Sequence, residues 1–381
     1  MNKYFDNSAT SYPKDPLVAE TVATCLRDIK GSFSRGHTKD SIRIAEVFFE
    51  TREMLAKLFN ADKSENIIFT QNATMAMNNV LFGLDLYKKH VLVSPLEHNC
   101  VMRPLEFLRK SKILKYNILP ANPDGSIIYE KIKKQIKKNT ALIVINHTSN
   151  VNGLTQDINQ IRKYIGNIPL LIDAAQSAGH ENIDISKADI DYLVFTGHKG
   201  LYGPCGTGGF YLKDLNSLKS FVYGGTGSRS DSFDMPEFTP DKFEAGTPNI
   251  PGIFGLWAAL KALPALTSCQ SEISATITSV PINSFIDFLK SKTDFEIYSA
   301  IEKEKQAPLV SISHKSLKIT DIANDLYRKH EIATRLGLHC APAAHRFLGT
   351  YPEGTIRLSF SRYHTPEDIE YLENSILEVI L

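Results

Sequence analysis

A series of short apolar runs between residues 66 and 212 constrains the fold of this chain more than any other feature. The runs are rich in Ile, Val, Leu and Phe, they alternate with segments of helical spacing, and they cover residues 66–70, 90–94, 141–146, 168–173, 192–196 and 208–212. Continuous apolar runs of this length are typical of strands whose two faces are both covered. The alternation therefore predicts an α/β fold in which helices wrap a large, mostly parallel sheet.

A segment rich in Pro and Gly, residues 243–252, interrupts this pattern. Beyond it a helical stretch leads into a smaller region with further strand-like runs. With 381 residues, the chain is long enough for two packed domains. We therefore predict a large domain over residues 13–255 and a smaller α+β domain formed by residues 1–12 and 256–381.

Composition argues against several classes of partner. The 43 basic and 42 acidic side chains give a net charge of +1, which is not the electrostatic footprint of a protein that binds nucleic acid or anionic membrane. The first residues form no apolar signal segment. The most apolar later stretch, residues 255–266, is interrupted by Lys261 and Pro264 and is too short to cross a bilayer. We expect a cytoplasmic protein that acts without nucleic acid or membrane.

The five cysteines are widely spaced, at Cys25, Cys100, Cys205, Cys269 and Cys340. No two of them form the CxxC pair that is typical of zinc or redox sites. A sparse, odd set without a secretion signal favours free thiols, most of them buried as small hydrophobic side chains. We therefore expect no metal site.

Polar side chains follow five of the predicted strands at the point where each strand ends. In parallel sheets, ligands bind at the carboxyl ends of the strands, so these side chains are candidates for one site. They are Asn72 and Thr74, then Glu97, His98 and Asn99, then His147 and Asn150, then Asp173 and Gln176, and finally Thr196, His198 and Lys199.

Lys199 and Asp173 are the pair that points to a cofactor. Pyridoxal 5'-phosphate (PLP) needs a lysine for its Schiff base and an acid beside the ring to keep the pyridine nitrogen protonated. Residues 70–74, at a strand-to-helix junction, offer backbone N–H groups and a helix N-terminus for the phosphate. The Gly-rich residues 203–209 and 224–228 do not spell the dinucleotide fingerprint, which counts against a nucleotide-dependent oxidoreductase.

Three motifs carry a resemblance to a known family: residues 173–176 (Asp-Ala-Ala-Gln), residues 196–199 (Thr-Gly-His-Lys) and residues 334–342, which contain Cys340. The chain resembles the PLP-dependent enzymes of the class V aminotransferase fold, in the cysteine desulfurase and selenocysteine lyase family. The match runs nearly end to end. It implies the PLP-dependent transferase fold type I, with a mostly parallel seven-stranded sheet in the large domain.

The resemblance implies a role for each matching position. Lys199 would form the Schiff base and shuttle protons, Asp173 would pair with the pyridinium, and Gln176 would donate to the phenolic oxygen of the ring. His98 would stack on the ring and act as an acid or base. The residues that would hold the cofactor are Ala73, Thr74, His98, Asp173, Gln176, Thr196, His198, Lys199, Gly225 and Thr226.

Further positions imply how the substrate and a second subunit take part. Asn150 and Arg357 would hold the substrate carboxylate, and a planar guanidinium suits that bidentate contact. Arg335 would add positive charge near Cys340 and the substrate. Gly225 and Thr226 resemble a segment that reaches the phosphate of the neighbouring subunit, which implies a homodimer.

Cys340 matches the cysteine that accepts sulfur in the family. The implied reaction converts L-cysteine to L-alanine and leaves the sulfur on Cys340 as a persulfide, from which a sulfur-acceptor protein could take it. A selenocysteine lyase, or another class V aminotransferase or lyase, is the alternative. A nucleotide oxidoreductase and a non-catalytic sulfur-trafficking scaffold are further readings, and the intact set of Lys199, Asp173 and Cys340 argues against the scaffold.

Overall fold

The computed structural model describes residues 1–33, 36–267 and 282–380. A large sheet of seven strands has the order β1-β7-β6-β5-β4-β2-β3. Its strands are β1 (Ile67–Thr70), β2 (Lys89–Val93), β3 (Leu114–Ile118), β4 (Thr140–Asn146), β5 (Leu170–Asp173), β6 (Tyr192–Thr196) and β7 (Gly208–Leu212). The predicted α/β class and the mostly parallel seven-stranded sheet are confirmed.

Two strands depart from the simplest expectation. β7 runs antiparallel to both of its neighbours, β1 and β6. The other six strands all run in the same direction. β3 was not among the predicted runs, because it lies at the sheet edge and its outward positions are polar, including Lys115 and Asn117. An edge strand that is exposed on one side lacks the continuous apolar signal of a central strand.

The helices of this part of the chain cover both faces of the sheet. They are α1 (Pro16–Asp28), α2 (Lys39–Phe59), α3 (Ala73–Gly83), α4 (Asn99–Lys110), α5 (Tyr129–Gln135), α6 (Ile158–Ile165), α7 (Ile185–Ala188), α8 (Ile250–Lys261) and α9 (Pro264–Thr267).

Strand β4 illustrates how the sheet is buried. Ile143 and Ile145 belong to the hydrophobic cluster formed with α2, α6 and α8. Leu142 and Val144 point the other way, into the cluster formed with α3 and α4. Successive side chains of a strand alternate between faces, so a strand covered on both sides must be apolar throughout.

A second, antiparallel sheet has the order β10-β11-β9-β8. Its strands are β8 (Phe295–Tyr298), β9 (Leu309–His314), β10 (Arg335–Gly337) and β11 (Thr355–Ser359), and the accompanying helices are α10 (Ile282–Lys292), α11 (Ile319–His330), α12 (Pro342–Phe347) and α13 (Pro366–Ile380). Phe5, fully buried, packs into the hydrophobic cluster of this sheet.

The N-terminal residues join this second sheet through backbone contacts, in which Tyr4 bridges Ala333 and Asp6 bridges Ser359. Helix α8, which crosses the predicted domain boundary at residue 256, packs its apolar side chains into the cluster of the large sheet. The division of the chain into domains at that position stays a prediction. Within the residues described, no helix is long and apolar enough to cross a membrane.

Candidate active site

A cavity of about 160 Å³ opens at the carboxyl edge of the large sheet. The ends of β5 and β6 and the beginnings of α3 and α4 surround it. It is lined by Asn72, Ala73, Thr74, His98, Cys100, Asn146, Asn150, Asp173, Ala175, Gln176, Thr196, His198 and Lys199. The structure thus brings together, in one cavity, most of the side chains that the sequence predicted at the strand ends.

Asp173 ends β5 and is almost completely buried. Its Oδ1 accepts the backbone N–H of Ala175 at 2.9 Å, and its Oδ2 accepts the thiol of Cys100 at 3.3 Å. Each oxygen of the carboxylate therefore accepts one hydrogen bond and keeps a further lone pair.

Lys199 follows β6 and faces the same cavity. Burial lowers its pKa, and the positive charge of Arg357 lowers it further, whereas the Asp173 carboxylate opposes both effects. A lowered pKa increases the fraction of neutral amine, which is the nucleophilic form that a Schiff-base lysine needs.

His98 is the N-cap of α4, and its Nδ1 accepts the backbone N–H of Cys100 at 3.0 Å. Because Nδ1 is an acceptor, the proton of the neutral ring is on Nε2. Burial lowers the pKa of His98 to about 4, and nearby Lys199 contributes in the same direction. His98 is therefore a neutral, planar ring at pH 7.

The N-terminus of α3 supplies anion-binding groups at one end of the cavity. The side chain of Asn72 caps the helix by accepting the N–H of Met75 at 2.9 Å. The N–H groups of Ala73 and Thr74 have no intrahelical acceptor, and they lie at the positive end of the helix dipole. Such an end is suited to a phosphate.

Buried polar atoms in the same cavity fit a polar ligand. Nδ1 of His198, Oδ1 of Asn146 and Oδ1 of Asn150 are buried and find no hydrogen-bond partner among the described residues. Burial lowers the pKa of His198 to about 4. Buried polar groups without partners are rare in proteins and often mark ligand positions. The residues of the cavity therefore fit a cofactor with a phosphate and a protonated ring nitrogen.

Arg357 lies on β11 and is almost completely buried. Its Nη2 donates to Asp6 Oδ1 at 2.7 Å and its Nη1 donates to the Asn150 carbonyl at 3.0 Å. Its Nε finds no partner among the residues described. Arg335, directly opposite on β10, is half-exposed and lies 3.9 Å from Asp6 Oδ2.

Cys340 is exposed, on a turn that directly precedes α12 and whose neighbouring residues His339 and Ala341 are buried. Two hydrogen bonds tie this turn to the edge of the cavity: the N–H of Asn99 donates to the Cys340 carbonyl at 2.9 Å, and Asn150 Nδ2 donates to the His339 carbonyl at 2.7 Å. His339 and Cys340 both have positive φ, at 47° and 57°. Two successive non-glycine residues in this region are uncommon, so the turn is held by its surroundings.

The structure does not bring every predicted site residue into the Lys199 cavity. Cys340, Arg335 and Arg357 are not among the residues that line it. Gly225 and Thr226 line a different cavity of about 320 Å³, together with Phe69 and Glu244.

Sequence reasoning missed three contributors to the site. Cys100 was treated as one of several buried thiols, although its position two residues after His98, at a helix start, could have indicated it. Asn146 was counted as part of a strand. Asp6, the partner of Arg357, gave no local signal because 351 positions separate the two residues.

Comparison with known proteins identifies the family that this fold and site define. The sequence profile described as aminotransferase class-V matches residues 3–372. The chain belongs to this family, and the predicted membership is confirmed.

Relatives within the family have a narrower description. A probable cysteine desulfurase of Pyrococcus abyssi is 31% identical and covers 99% of this chain and 94% of its own. The apo structure of a cysteine desulfurase from Thermococcus onnurineus superposes with a TM-score of 0.89 at 28% identity, over 99% of this chain and 94% of that one. The cysteine desulfurase CsdA (S-sulfonic acid) from Escherichia coli has a TM-score of 0.87 at 26% identity, with the same coverage.

Proposed function

We propose that this protein is a PLP-dependent cysteine desulfurase that converts L-cysteine to L-alanine and takes the sulfur onto Cys340 as a persulfide. One observation carries the proposal: Lys199 and Asp173 share one cavity, and the turn that exposes Cys340 is hydrogen-bonded to the edge of that cavity. The cysteine desulfurases among the relatives support it.

The cavity residues suit the parts of the cofactor. Bound PLP supplies an electron sink for charge that develops at the α-carbon of an amino acid. Lys199 would hold it covalently, Asp173 would keep its ring nitrogen protonated, Gln176 would donate to its phenolic oxygen, and His98 would cover its face. The residues that would hold its phosphate are Ala73, Thr74, Thr196 and His198.

The chain's own groups then move the protons and the sulfur. The neutral amine of Lys199 takes the α-proton, while Arg357 and Asn150 hold the substrate carboxylate, with Arg335 adding positive charge. The Cys340 thiolate attacks the substrate sulfur, so that a sulfur–sulfur bond forms and the bond from sulfur to the β-carbon breaks. The electron pair of that bond stays with carbon, which takes up a proton and becomes the methyl group of alanine.

Two further parts of the proposal concern assembly and location. Gly225 and Thr226 lie outside the Lys199 cavity, which fits a homodimer in which they reach the phosphate site of the partner subunit. A cytoplasmic location fits the free thiols at Cys100, Cys205 and Cys340. Light scattering tests the dimer, and Thr226→Ala should weaken PLP binding if the segment reaches the phosphate.

Alanine formation from L-cysteine, measured without oxygen and with a reductant, tests the proposal. We expect alanine from the wild type and at least a 100-fold slower rate from Cys340→Ser. Cys205→Ser, which removes a second thiol that is exposed among the described residues, is the matched control and should keep the wild-type rate. No alanine from PLP-loaded wild type contradicts the proposal. Selenide release from L-selenocysteine by both wild type and Cys340→Ser, without alanine from L-cysteine, favours the selenocysteine lyase alternative.

A further inference from the structure

We infer that Cys100 is a positioning residue for Asp173, whose carboxylate it holds in place for the ring nitrogen of the cofactor. The inference rests on the proposed function, because it presupposes that PLP occupies the Lys199 cavity. The role inferred for Cys100 differs from that of Cys340. Cys100 keeps its proton and does not take up sulfur.

The position of Cys100 is the first observation. It is the second residue of α4, it is 6% exposed, and it lines the cavity together with Asp173 and Lys199. Its thiol lies 3.3 Å from Asp173 Oδ2, a short contact for a sulfur donor. Most buried cysteines only fill apolar space, whereas this one contacts a buried carboxylate.

The protonation state of the thiol decides the direction of this hydrogen bond. Burial raises the pKa of Cys100 well above its usual value, and the negative charge of Asp173 raises it further. The thiol therefore keeps its proton at neutral pH, and the S–H group donates to the carboxylate.

Two donors from different elements fix the orientation of the Asp173 carboxylate. The N–H of Ala175 holds Oδ1 from the loop after β5, and Cys100 holds Oδ2 from α4. Rotation of the carboxylate would break both contacts. One lone pair of Oδ2 remains for the ring nitrogen.

Cys100 also connects two groups that the proposed cofactor needs. Its backbone N–H donates to Nδ1 of His98, and its side chain donates to Asp173. One residue at the start of α4 thus fixes both the ring that would cover the cofactor and the acid that would pair with it. Such support of a functional group by a neighbouring donor is typical of preorganised sites.

Equilibrium binding of PLP to the apoprotein, followed by absorbance, tests the inference without any turnover. Cys100→Ala and Cys100→Val both remove the donor; Ala leaves space at the thiol position, whereas Val fills it. We expect each to weaken PLP binding by about fivefold, while Cys100→Ser keeps a donor and stays within about twofold of the wild type. Cys25→Ala, which removes a buried thiol of α1, is the matched control and should leave binding unchanged.

Two additional measurements separate positioning from packing. In Cys100→Ala more negative charge remains on Asp173, so the pH at which the absorbance of bound PLP changes should move upward, because a nearby negative charge favours protonation. In an Asp173→Asn background, Cys100→Ala should change PLP binding by less than about twofold, because interacting residues are not additive.

The inference is overturned if Cys100→Ala binds PLP like the wild type with an unchanged pH midpoint, if Cys100→Ser is as weak as Cys100→Ala, or if the loss persists with Asp173→Asn. A wild type that binds no PLP contradicts the proposed function itself. Unaltered binding by the Cys100 variants, with a PLP-loaded wild type, removes only the role of Cys100.

Discussion

Two regions of the site differ in almost every physical respect: the cavity floor (Cys100, Asp173 and Lys199) and the Cys340 turn (residues 338–341). The floor is enclosed by α4 and the ends of β5 and β6, and burial shifts the pKa of both Cys100 and Lys199. The turn is exposed at Cys340 and is held by a few hydrogen bonds.

The two thiols have opposite environments. Cys100 is buried beside a carboxylate, which favours the protonated thiol. Cys340 is exposed, where an acceptor can reach its sulfur. Burial suits a group that must hold a fixed geometry, and exposure leaves a group accessible to other molecules.

The largest expected effect is that of Lys199→Ala. Among the described residues that line the cavity, Lys199 is the only one with an amine side chain. Alanine formation from L-cysteine should fall by at least about 1000-fold, because both the covalent attachment and the proton transfer are lost. Lys187→Ala, at an exposed lysine of α7, is the control and should keep the wild-type rate. More than a tenth of the activity in Lys199→Ala would show that the floor does not carry the chemistry.

Arg357→Lys tests the buried guanidinium that contacts Asp6 and the Asn150 carbonyl. Lysine cannot donate simultaneously to Asp6 and to the Asn150 carbonyl in the planar arrangement of a guanidinium. We expect kcat/KM for L-cysteine to fall by about 10- to 100-fold, mostly through KM. Arg335→Lys, at the half-exposed neighbour, should cost less than about threefold. The opposite order would assign the substrate carboxylate to Arg335.

Glu97→Gln tests the electrostatics behind the floor. Glu97 is fully buried, and burial together with the charge of Asp173 raises its pKa from about 4.5 to about 8. A pKa that is raised on folding gives stability that is complete below pH 4.5 and is lost as the pH rises through about 8.

The wild type should therefore lose about 3 kcal/mol of unfolding free energy between pH 6 and pH 9 through this group, and Glu97→Gln should not. Denaturant unfolding at the two pH values measures the difference. Glu20→Gln, at an exposed residue of α1, is the control and should behave like the wild type. Equal pH dependence in the wild type and Glu97→Gln would mean that Glu97 titrates alike in the folded and unfolded chains.

The smallest expected effect is that of Asn150→Ala on the Cys340 turn, a readout separate from the role of Asn150 in the cavity. The substitution removes the 2.7 Å hydrogen bond to the His339 carbonyl. Opening of the turn should become about 3- to 10-fold more frequent, as the loss of about 1 kcal/mol implies. Hydrogen exchange at the N–H of Ala341, which is bonded to the Leu338 carbonyl, reports this opening. Exchange in β5 should stay unchanged, and faster exchange there would show that the two regions are not independent.

The sequence was informative where local pattern determines structure. The central strands are apolar on both faces, so their runs could be recognised, whereas the edge strand β3 could not. The meeting of Asp173 with Lys199 followed from the rule that parallel strands end at one edge. The contact of Cys100 with Asp173 depends on how α4 packs, and no periodicity encodes it.

Pairs far apart in sequence were likewise beyond local reasoning. Asp6 and Arg357 meet only because the N-terminal residues lie along β11. The family resemblance pointed to Arg357, but it did not indicate that Asp6 neutralises the buried guanidinium. A buried charge without a partner would be costly in free energy.

The buried pair of Asp6 and Arg357 has a consequence for how the protein is made. The ribosome synthesises Arg357 351 positions after Asp6, so the two charges cannot meet until all the residues between them have been made. The large sheet can fold earlier, because domains generally fold as units during synthesis. The Ser8 carbonyl that holds Gln176 belongs to the same N-terminal residues. Completion of the candidate site therefore waits for the synthesis of Arg357, and a chain that stops before this residue would carry Lys199 and Asp6 without the guanidinium.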